Sequence, residues 1–301
     1  MELVKAILLG AVQGISEFLP ISSTGHLIIA ENLLGISQEK YGLSFDAALH
    51  LGTLIALLWF FRDDWKKLVL AAITKMSSSG LTGGSIKIDS RSPIGVEDKF
   101  RGNDIRGGND NSQRLAFLLL IGTVPGVLFG LLLEKKVETV FRSPVLIALT
   151  LILFSGVLIY VEKVGKKIRD IKQMNWRDSL TVGLAQAVAL IPGVSRSGIT
   201  ISAGMWRGLR REEAARFAFL LSAPIIAGAG GLKLIKTIGL FASGELAFSE
   251  LTFFAVGIVS AAIFGYLTIK YFLRFVSKHS LYPFVVYRII LGILVLLLAF
   301  K

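Results

Sequence analysis

Two related polar stretches interrupt apolar segments of this chain, and they restrict its fold more than any other feature. The stretches are Gln13–His26 and Gln186–Thr200, and each contains a proline, glycines and a cluster of hydroxyl side chains. A shift of 173 positions aligns Gln13 with Gln186, Ser22 with Ser195, and Gly25 with Gly198. Broken, polar backbone at membrane depth is tolerated only where protein or a water-filled cavity surrounds it. The two stretches together therefore predict one functional site.

The composition predicts an integral membrane protein. Hydrophobic residues make up 53% of the chain and the mean hydropathy is +0.67, well above the values of soluble domains. The absence of cysteine excludes disulfides, thiolate metal sites and a cysteine nucleophile. The net charge of +12 is interpreted as Lys and Arg held in cytoplasmic loops, so no nucleic-acid partner is expected.

The pattern of apolar segments predicts an all-α polytopic membrane protein with an inverted-topology repeat. Six stretches are long enough to cross a bilayer: residues 43–61, 115–133, 144–161, 214–235, 251–273 and 284–300. Segments 3–34 and 180–206 contain the polar stretches and are expected to form re-entrant helix–break–helix hairpins. Each repeat, residues 1–162 and 163–301, then has one hairpin and three spans. Because three is odd, the second repeat is inverted relative to the first.

The distribution of positive charge predicts the orientation. Most of the 33 Lys and Arg residues, Arg288 included, fall on the side opposite the N-terminus, and this side is expected to be cytoplasmic. Both termini and the entrance of the first hairpin then face outward. Residues 77–113 are polar and lack apolar periodicity, so they are expected to form a loosely ordered cytoplasmic loop. Glu212 and Glu213 are interpreted as ordinary interfacial charges beside arginines.

Gln13 and Glu17 are candidate metal ligands. Their spacing of four residues places them on one helix face. Carboxylate and amide oxygens suit magnesium or calcium, with water and a substrate phosphate completing the shell. The alternative is a polar helix face bonded to backbone.

The hydroxyl cluster before His26 is a candidate catalytic group. A neutral imidazole near a helix N-terminus, next to Ser22, Ser23 and Thr24, is typical of general-base activation of a serine or of direct attack by histidine. At least one hydroxyl is also expected to cap the following helix. His50 is either a second polar contact or a satisfied core histidine, and His279 receives no role.

The second stretch has the features of an anion-binding turn. Its glycines, Gly193 and Gly198, permit close backbone approach, and a helix begins near Ser197 with its N–H groups free. Arg196 supplies a planar fork of donors that matches a phosphate. The alternative is that Arg196 only pairs with Glu17 from the other half.

Both motifs resemble the signatures of the undecaprenyl-diphosphatase family, the BacA-type bacitracin-resistance proteins. The resemblance covers the whole chain in segment order, with residues 77–113 as an apparent insertion. Gln13 stands where the family has Glu or Gln, so this chain carries the less acidic choice. The family's catalytic positions fall on Glu17, Ser23, His26 and Arg196. Residues that bind substrate are then Ser22, Thr24, Gly193, Ser195, Ser197, Gly198 and Thr200.

The resemblance implies a membrane phosphatase that hydrolyses a C55 polyprenyl diphosphate with a divalent cation. It also implies a homodimer in the plasma membrane whose active site opens outward. In the expected mechanism His26 deprotonates Ser23, which attacks the terminal phosphorus, while direct attack by His26 or by water stays open. The prenyl tail is expected in apolar clefts between spans. A transporter or flippase for polyprenyl phosphate is the competing function, since inverted repeats with broken helices are common there.

Overall fold

The computed structural model describes residues 2–36, 42–79, 96–139, 143–244 and 250–299, and within these ranges it contains helices and no β-strand. The predicted all-α class is confirmed. Eleven α-helices occur in the described ranges: α1 (Glu2–Phe18), α2 (Ser23–Leu34), α3 (Gly42–Phe60), α4 (Arg62–Ser79), α5 (Val96–Thr139), α6 (Pro144–Val164), α7 (Trp176–Val188), α8 (Arg196–Trp206), α9 (Arg211–Ala242), α10 (Leu251–Val276) and α11 (Tyr282–Ala299).

Five helices in the described ranges are long and apolar enough to cross a membrane, which confirms a polytopic membrane protein. They lie in α5, α6, α9, α10 and α11. A sixth candidate, at the predicted span 43–61, is a bent pair in which α3 and α4 meet at an angle of 78°. The described residues therefore contain the expected six spans only if the bent pair is counted as a single span.

The prediction of a loop over residues 77–113 is wrong at both ends of that segment. Helix α4 continues to Ser79 and α5 begins at Val96, so residues 96–113 are helical, while residues 80–95 lie outside the described residues. Each residue added to an existing helix gains one hydrogen bond for the conformational freedom it loses, so elongation costs far less than nucleation. The apolar span Asn111–Leu133 supplies such a nucleus for the polar residues before it.

Both polar stretches break a helix, as predicted. Helix α1 ends at Phe18 and α2 begins at Ser23, whereas α7 ends at Val188 and α8 begins at Arg196. The residue before each second helix has a positive φ: 74° at Ser22 (ψ 98°) and 72° at Ser195 (ψ 109°). Such values are strained for a residue with a Cβ, so the surrounding structure must hold both turns in place.

Each helix that leads into a break packs against a long helix from the other half of the chain. Helix α1 lies along α10, and α7 lies along α5. Glycines allow the two helices of each pair to pack this closely. A Cβ on Gly10 of α1 would lie 2.6 Å from the Gly257 carbonyl oxygen of α10. A Cβ on Gly183 would lie 2.3 Å from the Gly122 carbonyl oxygen. Helices α6 and α11 pack together beside the breaks.

The connection between α6 and α7 is held by a buried carboxylate on α7. Asp178 is fully buried and accepts hydrogen bonds from Arg169 (2.7 Å) and from Arg207 (2.6 Å). Burial alone would raise the pKa of Asp178, but the hydrogen bonds from Arg169, the Asn175 backbone and Arg207 outweigh it and lower the pKa below 3.8. The carboxylate therefore stays charged and joins three segments of chain.

The interfacial charges at the start of α9 behave as predicted. Glu213 pairs with Arg210 at 3.3 Å and accepts a hydrogen bond from the Ile171 backbone at 3.2 Å. Arg210 also approaches Glu212 at 3.5 Å. The Arg210–Glu213 pair has the expected i,i+3 spacing, whereas Arg210 and Glu212 lie only two positions apart.

Candidate active site

The two helix breaks meet at one polar cavity. Residues of both breaks and of α3 line it, and its free volume is about 50 Å³. The lining residues are Glu17, Ser22, Ser23, Thr24, His50, Ala189, Ile191, Pro192, Gly193, Ser195 and Arg196. The structure therefore brings together most of the site residues predicted from the two motifs.

The Glu17 carboxylate joins the predicted residues of the first break. One oxygen, Oε2, accepts hydrogen bonds from the Ser23 hydroxyl at 2.6 Å and from the Gln13 amide at 3.1 Å. The other oxygen, Oε1, lies 3.6 Å from Nη1 of Arg196. Only 7% of Glu17 is exposed, so these partners must replace the water that its charge has lost.

Arg196 reaches the cavity from the first residue of α8. Its 3.6 Å separation from Glu17 is too long for a hydrogen bond, and its buried Nη1 has no hydrogen-bond partner. Both predictions for Arg196 thus describe part of the geometry: it faces Glu17, and it keeps a donor available for an anion. A helix N-terminus beside this guanidinium adds positive potential.

His26 lies beside the break but does not line the cavity. Its Nδ1 lies 2.7 Å from the Ser22 carbonyl, which can only accept, so Nδ1 carries the hydrogen. Its Nε2 lies 2.6 Å from the hydroxyl of Tyr287, and the two rings are stacked with centroids 5.6 Å apart. Both ring nitrogens therefore have partners other than Ser23, and the imidazole supports the strained turn at Ser22.

His50 is the histidine that does line the cavity. Its Nε2 lies 3.6 Å from Oε2 of Glu17, and its Nδ1 lies 2.7 Å from the Asp46 carbonyl. The sequence left His50 open between a polar contact and a satisfied core residue. The structure places it as a polar contact, because its free nitrogen faces the carboxylate.

Several hydroxyls of the second motif make bonds that shape the backbone. Ser195 Oγ accepts from the Gly198 amide at 3.2 Å and so caps α8. Ser197 Oγ donates to the Leu19 carbonyl at 2.8 Å, which connects the two breaks directly. Thr200 donates to the Arg196 carbonyl at 2.7 Å and does not line the cavity. Within the cavity lining, the hydroxyls available to a ligand are those of Ser22, Ser23, Thr24 and Ser195.

The backbone conformation at position 193 and the lack of space for a side chain there both require glycine. Its φ is +89°, and a Cβ at this position would lie 1.9 Å from the hydroxyl of Thr150. That hydroxyl donates to the Pro192 carbonyl at 2.7 Å. The second turn is therefore pressed against α6, and only a residue without a side chain fits.

Arg288 is a component of the site region that the sequence did not reveal. The charge count grouped it with the loop charges of one side, whereas the structure shows it fully buried in α11. It donates to the carbonyls of both breaks: Pro20 at 3.2 Å, Val194 at 3.1 Å and Gly193 at 3.1 Å. Its Nε also donates to Ser155 on α6 at 3.2 Å. A single arginine in the apolar sequence of α11 was the only signal available.

Comparison with known proteins identifies the family to which the chain belongs. The family model described as bacitracin resistance protein BacA matches residues 6–294. A Rubrobacter xylanophilus protein named undecaprenyl-diphosphatase is 44% identical over 295 residues, which cover 98% of this chain and 97% of the relative. Proteins of the same name from Moorella thermoacetica and Thermodesulfovibrio yellowstonii are 43% and 40% identical, covering 98% and 99% of this chain and 97% and 98% of the relatives.

Proposed function

This chain belongs to the BacA bacitracin-resistance family and is an undecaprenyl-diphosphatase, and from this premise we propose that its two helix breaks form the phosphatase site. The enzyme hydrolyses undecaprenyl diphosphate to the monophosphate and inorganic phosphate, which returns the lipid carrier to cell-wall synthesis. The observation that carries the proposed site is the convergence of Ser23, Glu17 and Arg196 on one cavity.

The second break binds the diphosphate. Arg196 presents an unbonded Nη1 to the cavity, and the N-terminal end of α8 adds its positive dipole. Substrate phosphate oxygens would occupy the space between Arg196 and Ser23. Such positioning and charge neutralisation account for most of the catalysis in phosphoryl transfer.

Ser23 is the nucleophile and Glu17 accepts its proton. The hydroxyl already donates to Glu17 at 2.6 Å, within the range at which a general base acts. The Ser23 oxygen bonds to the terminal phosphorus as the bridging P–O bond breaks and undecaprenyl phosphate leaves. Water then attacks the phosphoserine, releases inorganic phosphate and restores the serine hydroxyl. His26 would support this sequence by holding the Ser22 carbonyl rather than by removing the serine proton.

Two other routes make different predictions. Direct attack by His26 requires Nε2 to leave Tyr287, and attack by activated water requires no covalent intermediate. Trapping labelled phosphate on Ser23 supports the serine route, whereas label on His26 or no label at all supports one of the others.

The residues of the first break also fit a divalent cation, although the described residues contain no cluster of three His, Cys, Asp or Glu side chains. Gln13 is fully buried and its Oε1 has no hydrogen-bond partner, which leaves one oxygen for a ligand beside the Glu17 carboxylate. Gln13 and Glu17 would hold magnesium or calcium together with water and phosphate oxygens. A bound cation would neutralise charge on the diphosphate.

The prenyl tail would lie against the apolar helices beside the site. A cavity of about 160 Å³ between α3, α9 and α10 is lined almost entirely by apolar side chains. The tail can also remain in the bilayer while the diphosphate reaches the cavity.

An inverted repeat accounts for the crossed packing of the two halves, residues 1–162 and 163–301. Equivalent helices α1 and α7 each pack on a helix of the other half, and the equivalent residues Ser22 and Ser195 share one unusual conformation. The two broken segments would form re-entrant hairpins in the plasma membrane. The charge distribution supports an orientation with both termini outside and the cavity opening outward. A homodimer is proposed from family resemblance.

Phosphate release from undecaprenyl diphosphate tests the site. Detergent-purified wild type should release phosphate with magnesium, and Glu17→Gln and Arg196→Ala should each lose at least about a hundredfold in rate. His26→Ala should lose less than these two if its role is support. Full turnover by folded Glu17→Gln or Arg196→Ala would refute the site. Transport of labelled lipid phosphate by the inactive variants would instead favour the flippase.

A further inference from the structure

His50 occupies a position that the phosphatase chemistry described above does not use. It is one of three histidines in the chain and the one that lines the cavity. It projects from α3, outside both sequence motifs. Its neighbours in the cavity are Glu17, Ser23 and Arg196.

Hydrogen bonding fixes which nitrogen of His50 faces the site. The Asp46 carbonyl, 2.7 Å from Nδ1, can only accept, so Nδ1 carries a hydrogen. Nε2 then points toward Oε2 of Glu17 at 3.6 Å. With a neutral ring, the Nε2 lone pair faces Oε2, which already accepts hydrogen bonds from Ser23 and Gln13. A positive charge between Nε2 and the carboxylate would stabilise this arrangement.

The spacing suits a metal ion. Cis ligands at about 2.1 Å from an octahedral ion lie about 3 Å apart, so a small side-chain movement closes the 3.6 Å gap onto a shared cation. Metal-binding histidines usually donate their other ring hydrogen to a carbonyl or carboxylate, as His50 does to Asp46. The unpartnered oxygen of buried Gln13 supplies an independent sign of a missing ligand.

We propose that Nε2 of His50 is a nitrogen ligand of the divalent cation, together with Glu17 and Gln13. The inference rests on the proposed function, in which a cation acts at Glu17. An imidazole ligand shifts the metal preference from calcium toward transition metals such as iron, nickel and zinc. His26 does not take this role, because its Nε2 is bonded to Tyr287.

Pulsed electron paramagnetic resonance of Mn²⁺ tests the assignment without relying on activity. Full-length detergent-solubilised protein loaded with one equivalent of Mn²⁺ should show modulation from an imidazole ¹⁴N nucleus. His50→Gln should abolish this modulation and weaken Mn²⁺ binding at least about tenfold. His279→Gln, which changes an exposed histidine far along the chain, should leave both signals unchanged, and His26→Gln should retain the nitrogen modulation.

The outcomes separate this proposal from the phosphatase site. Wild-type protein that binds Mn²⁺ with no nitrogen modulation overturns the role of His50, and this result needs no variant to fold. Loss of the modulation in His26→Gln but not in His50→Gln also overturns it. Metal-independent hydrolysis by a wild type that binds no Mn²⁺ overturns the cation in the proposed function itself.

Discussion

The Ser23 hydroxyl donates a 2.6 Å hydrogen bond to Oε2 of Glu17, across the break that separates α1 from α2. The two residues lie six positions apart, and a continuous helix would not bring them into this contact. The break is therefore what allows a nucleophile and its base to meet. Arg196 completes the arrangement from the other half of the chain.

Replacing Ser23 tests this relationship first. Ser23→Ala should reduce the rate of phosphate release at least about a thousandfold, because a covalent route loses its nucleophile. The measurement is turnover with undecaprenyl diphosphate at saturating magnesium. Ser277→Ala removes an exposed hydroxyl at the end of α10 and should turn over normally. Near-normal turnover by Ser23→Ala would refute the serine route.

Arg288 should determine stability as well as activity. Arg288→Met keeps much of the side-chain volume but leaves the carbonyls of Pro20, Gly193 and Val194 without their donor. Breaking a buried polar network in this way costs about 3–5 kcal/mol. Denaturant unfolding in detergent should show that loss.

Arg288→Lys separates charge from hydrogen bonding. Lysine keeps the positive charge but cannot reach all the acceptors with a planar fork, so it should recover only part of the stability. Arg177→Lys, an exposed arginine stacked on Trp176, is the matched control and should unfold like the wild type. Wild-type stability in Arg288→Met would contradict the proposed role in joining the two breaks.

Gly193→Ala should disturb the second break. The new methyl would collide with Thr150 at 1.9 Å, and the φ of +89° disfavours any side chain. We expect a loss of about 2–4 kcal/mol in the free energy of unfolding, measured by denaturant in detergent. Gly156→Ala on α6 is the control, because a Cβ there meets no atom within 4 Å. Equal stability of the two variants would contradict this prediction and would show that the turn can adjust to hold the added methyl group.

Asp178 should make stability depend on acid pH. Its folded-state pKa is lowered, so its contribution is complete above the unfolded value near 3.8 and is lost as the pH falls through the folded value. Asp178→Asn should therefore be less thermostable than the wild type at pH 7. The difference in melting temperature should shrink below about pH 4. A difference that is the same at pH 7 and pH 3 would argue against a charged carboxylate.

The sequence is most informative where polar residues interrupt apolar segments. Pro20, Ser22 and their counterparts in the second stretch could not continue a membrane helix without cost, so both breaks were predictable. Glu17 and Arg196 were predictable for the same reason, since each is an ionisable residue in an apolar segment. The sequence does not decide whether Arg196 approaches Glu17, because only the packing of the two halves sets their 3.6 Å separation.

The remaining features depend on tertiary contacts that no local pattern encodes. Arg288 resembles an interfacial charge in sequence, and only its position against both breaks gives it five acceptors. The pairing of His26 with Tyr287 joins residues 261 positions apart. The helical residues 96–113 were missed because their composition favours a loop, whereas the adjoining span propagates a helix into them.

The packing of α1 against α10 has a consequence for how the protein is made. Ribosomal synthesis proceeds from the N-terminus, so α1, which carries Glu17, is synthesised before α10. Its packing partner, Leu251–Val276, follows more than 200 residues later. During that interval the polar residues of α1 lack the helix against which α1 finally packs. Helix α1 can therefore reach its final packing only after the chain has been synthesised as far as α10.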